Sequence, residues 1–116
     1  MVKIIQIIKV ENVNIADTPH KVAVKKLLSF EHATFVHIEL KPGESLKRHI
    51  TPVDVAFYVL EGEGIVEIGK EVEKVNKDQL IFSPAKVPHL LKNESGENFR
   101  FLVIKTPTPT SQTQML

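Results

Sequence analysis

At 116 residues the chain has room for one domain with one proper core. Its 42% apolar and 25% charged residues are those of an ordinary globular protein, which excludes a wholly disordered chain, and no apolar run approaches the ~18 residues of a membrane span. Fifteen basic against fourteen acidic residues leave a net charge of +1, so charge makes no case for a nucleic-acid or membrane partner.

The chain reads as short apolar runs divided by turn signals. Val2–Val10 is predicted as a strand, and Glu11–His20 as a loop marked by Asn12, Asn14 and Pro19. Val22–Phe30 could be a strand or a short helix, and its Val22, Val24 alternation favours the strand. Ala33–Leu40, rich in Phe, Val and Ile, is a clear strand. Lys41-Pro42-Gly43 is a turn, in which Pro presets one backbone angle and Gly supplies a positive φ. Leu46–His49 and Ala56–Leu60 follow as strands, and Glu61-Gly62-Glu63-Gly64 is expected to close a tight hairpin. Ile65–Ile68 turns at Gly69-Lys70 into Val72–Val75. Leu80–Phe82, His89–Leu91 and Phe99–Lys105 are the remaining strands, the last two divided by a polar turn over 93–98. Nine or ten short strands at roughly 8–12-residue spacing imply an all-β sandwich or closed barrel over residues 1–105. Residues 106–116, with alternating Thr and Pro and then Gln, are expected to form a loosely held extended tail.

The absence of cysteine excludes disulfides, thiolate metal sites, iron–sulfur clusters and a cysteine nucleophile. Any transition-metal site must draw on His, Asp, Glu or neutral oxygen, which directs attention to His20, His32, His37, His49 and His89. The N-terminal apolar stretch is interrupted by Lys3, Gln6 and Lys9 and is followed by no small-residue cleavage site, so a cytoplasmic location is expected.

Two segments resemble the two motifs of the cupin family. In the first, Pro42 to Thr51 and on through Phe57-Tyr58-Val59-Leu60-Glu61-Gly62-Glu63-Gly64, the residues Gly43, His49 and Gly62 stand at the family's separations. In the second, Asp78 to Asn93, the residues Pro84, His89 and Asn93 match, while Asp78 and Lys86 replace two glycines. The resemblance implies a double-stranded β-helix, a jelly-roll barrel whose pocket opens at one end, often assembled as a homodimer. It also implies a divalent metal (Mn, Fe, Ni or Zn) held by two His and a Glu of the first motif and a His of the second. Here His49 and His89 are kept as candidate metal ligands, but Thr51 stands at the second His position and Val55 at the Glu position.

The remaining pocket candidates are His37, Thr51, Asp54, Phe57 and Asn93. Side chains alternate across a strand, so Asp54 points away from the face of His49, Thr51 and Val55 unless Pro52 or a bulge shifts the register. His37 and Glu39 share one face of their strand, and either face could line the pocket. Asn93 suits a strand-end amide bonding the backbone. His20, His32, Lys25 and Lys26 are expected at the surface, and Arg48 near the pocket rim would suit an anionic ligand. The expected partner is a small molecule. Four uses remain open: a binding module, a metal-dependent oxygenase or isomerase of a small polar substrate, a metal-free epimerase or lyase with a histidine base, and a structural dimer whose pocket has decayed.

Overall fold

The computed structural model describes residues 3–116. Ten strands follow in order: β1 Ala23–Phe30, β2 Ala33–Leu40, β3 Ser45–Ile50, β4 Asp54–Glu61, β5 Glu63–Ile68, β6 Glu71–Asn76, β7 Leu80–Ser83, β8 His89–Lys92, β9 Phe99–Thr106 and β10 Gln114–Met115. They form two five-stranded antiparallel sheets, one ordered β1-β2-β9-β4-β7 and the other β10-β3-β8-β5-β6. The expected all-β double-stranded β-helix is therefore what forms.

Period-two patterning sets which face each strand buries. In β9, Phe99, Phe101 and Val103 point between the sheets, and in β4, Val55, Phe57 and Val59 do so. Leu40, Leu46 and Leu91 close the core from β2, β3 and β8. Removing one such side chain from water is worth about 1.5–3 kcal/mol, so this layer supplies most of the driving force.

Glycines and turn residues fix the crossings between sheets. The Glu61–Gly64 segment does not close a hairpin: β4 pairs with β7 and β9, whereas β5 pairs with β6 and β8. Gly62, at φ +80°, carries the chain from one sheet to the other, and a Cβ there would run into the Asn98 carbonyl. Gly64 lies flat beneath the Phe99 ring, where a Cβ would also collide. Asp78 and Lys86, which stand where the family pattern has glycine, have φ of 68° and 67°. Those positions therefore demand the left-handed region that glycine enters without steric cost.

The N-terminal strand expected over 2–10 does not form among the described residues; Val2 lies outside them. Residues 3–9 belong to no sheet, and Val10–Asn12 make a single 3-10 turn. The segment is tied down beyond this point, by Lys25 Nζ donating to the Val10 carbonyl at 3.0 Å and by Ala16 N–H donating to Val24 at 2.7 Å. An extended segment becomes a strand only when a neighbouring strand takes its backbone donors and acceptors, and among the described residues no strand lies beside 3–9. The C-terminal tail is more closely held than its composition implies. Gln114 and Met115 pair with Ile50 and His49 as an edge strand, and Thr108 bonds Thr34 and the Phe30 carbonyl. No helix of the described residues is long and apolar enough to cross a membrane.

Candidate functional site

One end of the space between the sheets is not filled by core side chains. A cavity of about 410 Å³ opens there, walled by Val24, Val36, Ile38, Leu46, Phe57 and Val103. The backbone places His49 and His89 directly opposite each other as cross-strand partners of β3 and β8. Both are buried, and their Nε2 atoms are 3.0 Å apart. Phe57 meets the His89 ring edge-on at a centroid distance of 5.2 Å.

The hydrogen-bond partners assign the protons. His49 Nδ1 lies 2.6 Å from the Lys47 carbonyl, which can only accept, so His49 carries its proton on Nδ1. His49 Nε2 is then an acceptor, and His89 Nε2–H donates to it. His89 Nδ1 in turn accepts from the hydroxyl of Ser83, 2.7 Å away and fully buried. The result is one continuous chain, Ser83 to His89 to His49 to the Lys47 carbonyl, with every ring nitrogen satisfied. Burial is the main force on both rings. It pushes His89 down to about 3, aided by His49, Lys105 and His20, and it lowers His49 against the opposing pull of its Lys47 bond. Both imidazoles are uncharged at neutral pH.

Three further groups reach the cavity although sequence reasoning placed none there. His20 is half-buried rather than on the surface, its ring edge-on to His49 at 4.9 Å, and its Nδ1 is buried without a hydrogen-bond partner. Burial, His49 and Lys105 push it down to about 4. No local signal marks His20, because a loop folded over the barrel mouth brings it in. Lys105 was legible, since it continues the inward alternation of β9 after Val103; Lys26 is exposed as expected and touches the cavity's rim. From the tail, Gln112, Thr113 and Met115 close the cavity's outer side.

The other candidates divide. Thr51 lines the cavity, its hydroxyl 3.5 Å from His89 Nε2, and Phe57 lines it as well. His37 does not: Val36 and Ile38 take the inward face of β2, and His37 lies on the outer face beneath Arg100, whose Nε donates to its Nε2 at 3.4 Å. Asp54 is exposed and accepts from the Ala85 N–H at 2.8 Å, so no bulge turns it inward. Asn93 is buried but fastens the turn after β8, donating to the Leu40 and Glu97 carbonyls and accepting from Ser95. Arg48 pairs with Glu67 at 3.1 Å, away from the cavity lining.

The donor set does not fit the four-ligand metal centre that the resemblance implies. Two imidazoles converge, but the third position offers a neutral hydroxyl and the fourth is Val55, packed in the core. Among the described residues no group of three or more His, Asp or Glu side chains could hold a metal ion.

Comparison with known proteins agrees with this architecture. The family model described as "Cupin domain" matches residues 36–105. An uncharacterized protein of Methanocaldococcus jannaschii, MJ0764, is 28% identical over 87 residues, 74% of this chain and 75% of that one. The crystal structure of TT1209 from Thermus thermophilus is similar at a TM-score of 0.78 and 29% identity, over 90% of this chain and 100% of that one. The polyketide cyclase RemF from Streptomyces resistomycificus shares the fold at a TM-score of 0.81 and 22% identity, over 97% of this chain and 86% of its own. With the matched family model spanning β2 to β9 and the barrel built as that family requires, the chain belongs to the cupin domain family.

Proposed function

We propose that this cupin binds a small organic molecule in the barrel cavity without a resident metal, its polar group meeting the histidine cluster and its body lying on the apolar wall. The observation that carries the reading is the Ser83–His89–His49 chain beside a cavity whose wall is largely Val24, Val36, Ile38, Leu46, Phe57 and Val103. Pockets of this kind, mostly apolar with a few convergent polar groups, are the usual form of a ligand site. The resemblance to a polyketide cyclase is one of fold and leaves the ligand open.

A second reading, a metal-free epimerase or lyase, has support in His20. A general base needs an imidazole nitrogen free to take a proton, and His20 Nδ1 is buried at the cavity without a hydrogen-bond partner. A metal-dependent oxygenase or isomerase has less support, because the carboxylate position is Val55.

A fragment screen observed by NMR, run on wild type, His49→Ala and His89→Ala, tests the site. Hits should weaken about tenfold or more in either variant. Unchanged affinities would remove the cavity from consideration. Metal analysis of tag-free protein is the second arm. It should find well under one equivalent, with no rise in Tm on adding Mn, Fe, Ni or Zn; a full equivalent would overturn the metal-free reading.

We also propose that the working unit is a homodimer, with residues 3–9 of each copy laid along the β7 edge of the other. Two unmatched apolar surfaces of the chain support this. Ile4, Ile5 and Ile7 are exposed on the N-terminal arm, and Leu80 and Phe82 are exposed around a cleft of about 890 Å³ between β6 and β7. The 51 Å long axis, against 30 and 26 Å, is what an arm reaching beyond the barrel would give. Light scattering should give twice the chain mass for wild type, and a monomer for Ile4→Asp with Ile7→Asp. A monomeric wild type at tens of micromolar would rule the exchange out.

A further inference from the structure

We infer that the ligand of the barrel cavity is an organic acid, its anionic group held at the open end by Lys105 and Lys26. The inference rests on the small-molecule reading above and narrows it to a charge class.

The first observation is positional. The inward face of β9 runs Phe99, Phe101, Val103, Lys105, so a lysine occupies the place where the pattern calls for another core residue. In the same sheet, with β2 between, β1 brings Lys26 after Val24 to the cavity's exposed rim. Two strands of one sheet thus follow an inward valine with a lysine at the cavity.

The second observation is an imbalance. The cavity lining includes Lys26, Lys105, His20, His49 and His89 and not one Asp or Glu among the described residues. Lys105 takes part in no ion pair or side-chain hydrogen bond among the described residues. Asp54, the carboxylate next to it in register across from Thr106, is turned to the Ala85 N–H instead. A partly buried ammonium without a counter-charge costs free energy, and burial together with Lys26 lowers the Lys105 pKa accordingly. An anion supplied by the ligand removes that cost.

The third observation is the shape of the remaining wall. Between the charged and imidazole groups, Val36, Ile38, Phe57 and Leu46 offer only apolar contact. His20 Nδ1, buried and unpartnered, stands beside that cluster. The complementary molecule carries a negative charge and a hydrogen-bonding group on an apolar body.

Titrating the full chain with a panel of aliphatic and aromatic carboxylates, each beside its neutral amide (benzoate against benzamide, for example), tests this. Binding is followed by the ring signals of His49 and His89. The acids should bind about tenfold or more tighter than their amides, as expected for a charge-assisted contact. Lys105→Met should bring the two series to within about twofold, and Lys105→Arg should keep the preference. Raising salt from about 0.05 M to about 0.5 M should weaken the acids alone. If amides bind and acids gain nothing, or if the preference survives in Lys105→Met, the charge assignment is wrong and the small-molecule reading stands. If no compound of either series moves the histidine signals, both fail.

Discussion

His49 and His89 face each other across adjacent strands with their Nε2 atoms 3.0 Å apart, and each ring is held from behind by a second bond, to the Lys47 carbonyl and to Ser83. A neutral imidazole has one proton, so fixing one ring through Lys47 fixes the other. Ser83 therefore acts on His49 through His89 without touching it.

Ser83→Ala tests that coupling. It leaves the buried His89 Nδ1 without a donor, which should lower stability by about 1–2 kcal/mol in urea unfolding with an unchanged m value. The nitrogen shifts of His89 should move away from a pure Nε2–H tautomer. Identical shifts and midpoints in wild type and variant would dissolve the proposed chain.

Gly64 supports the opposite end of the core. Because a Cβ there would enter the fully buried Phe99 ring, Gly64→Ala should cost about 1–3 kcal/mol, and Gly96→Ala, where nothing lies within reach, should cost far less. Equal midpoints for the two variants would show that Phe99 has room to move.

The tail should matter more for ligand residence than for folding. Gln112, Thr113 and Met115 line the cavity, yet only residues 114–116 bond the backbone of the sheet. Ending the chain after Thr110 should speed dissociation of a cavity ligand several-fold while lowering stability by no more than about 1–2 kcal/mol. Unaltered dissociation kinetics would mean that the tail does not close the site.

His37 offers a pH test separate from the cavity. Burial, with Arg100 and Lys25 nearby, pushes it from 6.5 down to about 4. Between those values the unfolded chain binds a proton that the folded one does not. Its contribution is complete above about pH 6.5 and declines as pH falls toward 4, by up to about 1.4 kcal/mol per pH unit. His20 and His89 act with the same sign. Replacing His37 with Leu should flatten the stability profile between pH 6.5 and 4; an unchanged slope would show that His37 titrates normally.

Much of the fold was legible because strand periodicity is a local property. The inward sets Phe99, Phe101, Val103 and Val55, Phe57, Val59 follow from alternation alone, and the motif spacing singled out His49 and His89 as the pair to examine. The left-handed backbone at Asp78 and Lys86 explains why the family pattern has glycine where this chain does not. Residues 3–9 were misjudged because strand propensity needs a partner, and none exists among the described residues. The Gly62 segment was misjudged because a glycine-rich turn looks alike whether it joins paired strands or crosses between sheets.

The amino-acid order by itself determined the fold class, the inward faces and the chemistry that cysteine-free, carboxylate-poor motifs can offer, since each of these depends on residues a few positions apart. Which side chains share the cavity was decided only by tertiary structure. His20 from a loop, Ser83 from β7, Lys105 from β9 and Met115 from the tail meet around His49 and His89 through the packing of two sheets. His37, as promising in sequence as any of them, lies on the outer face because β2 turns Val36 and Ile38 inward to satisfy the core. Burial of apolar surface selects that face, and the polar groups are placed as its consequence.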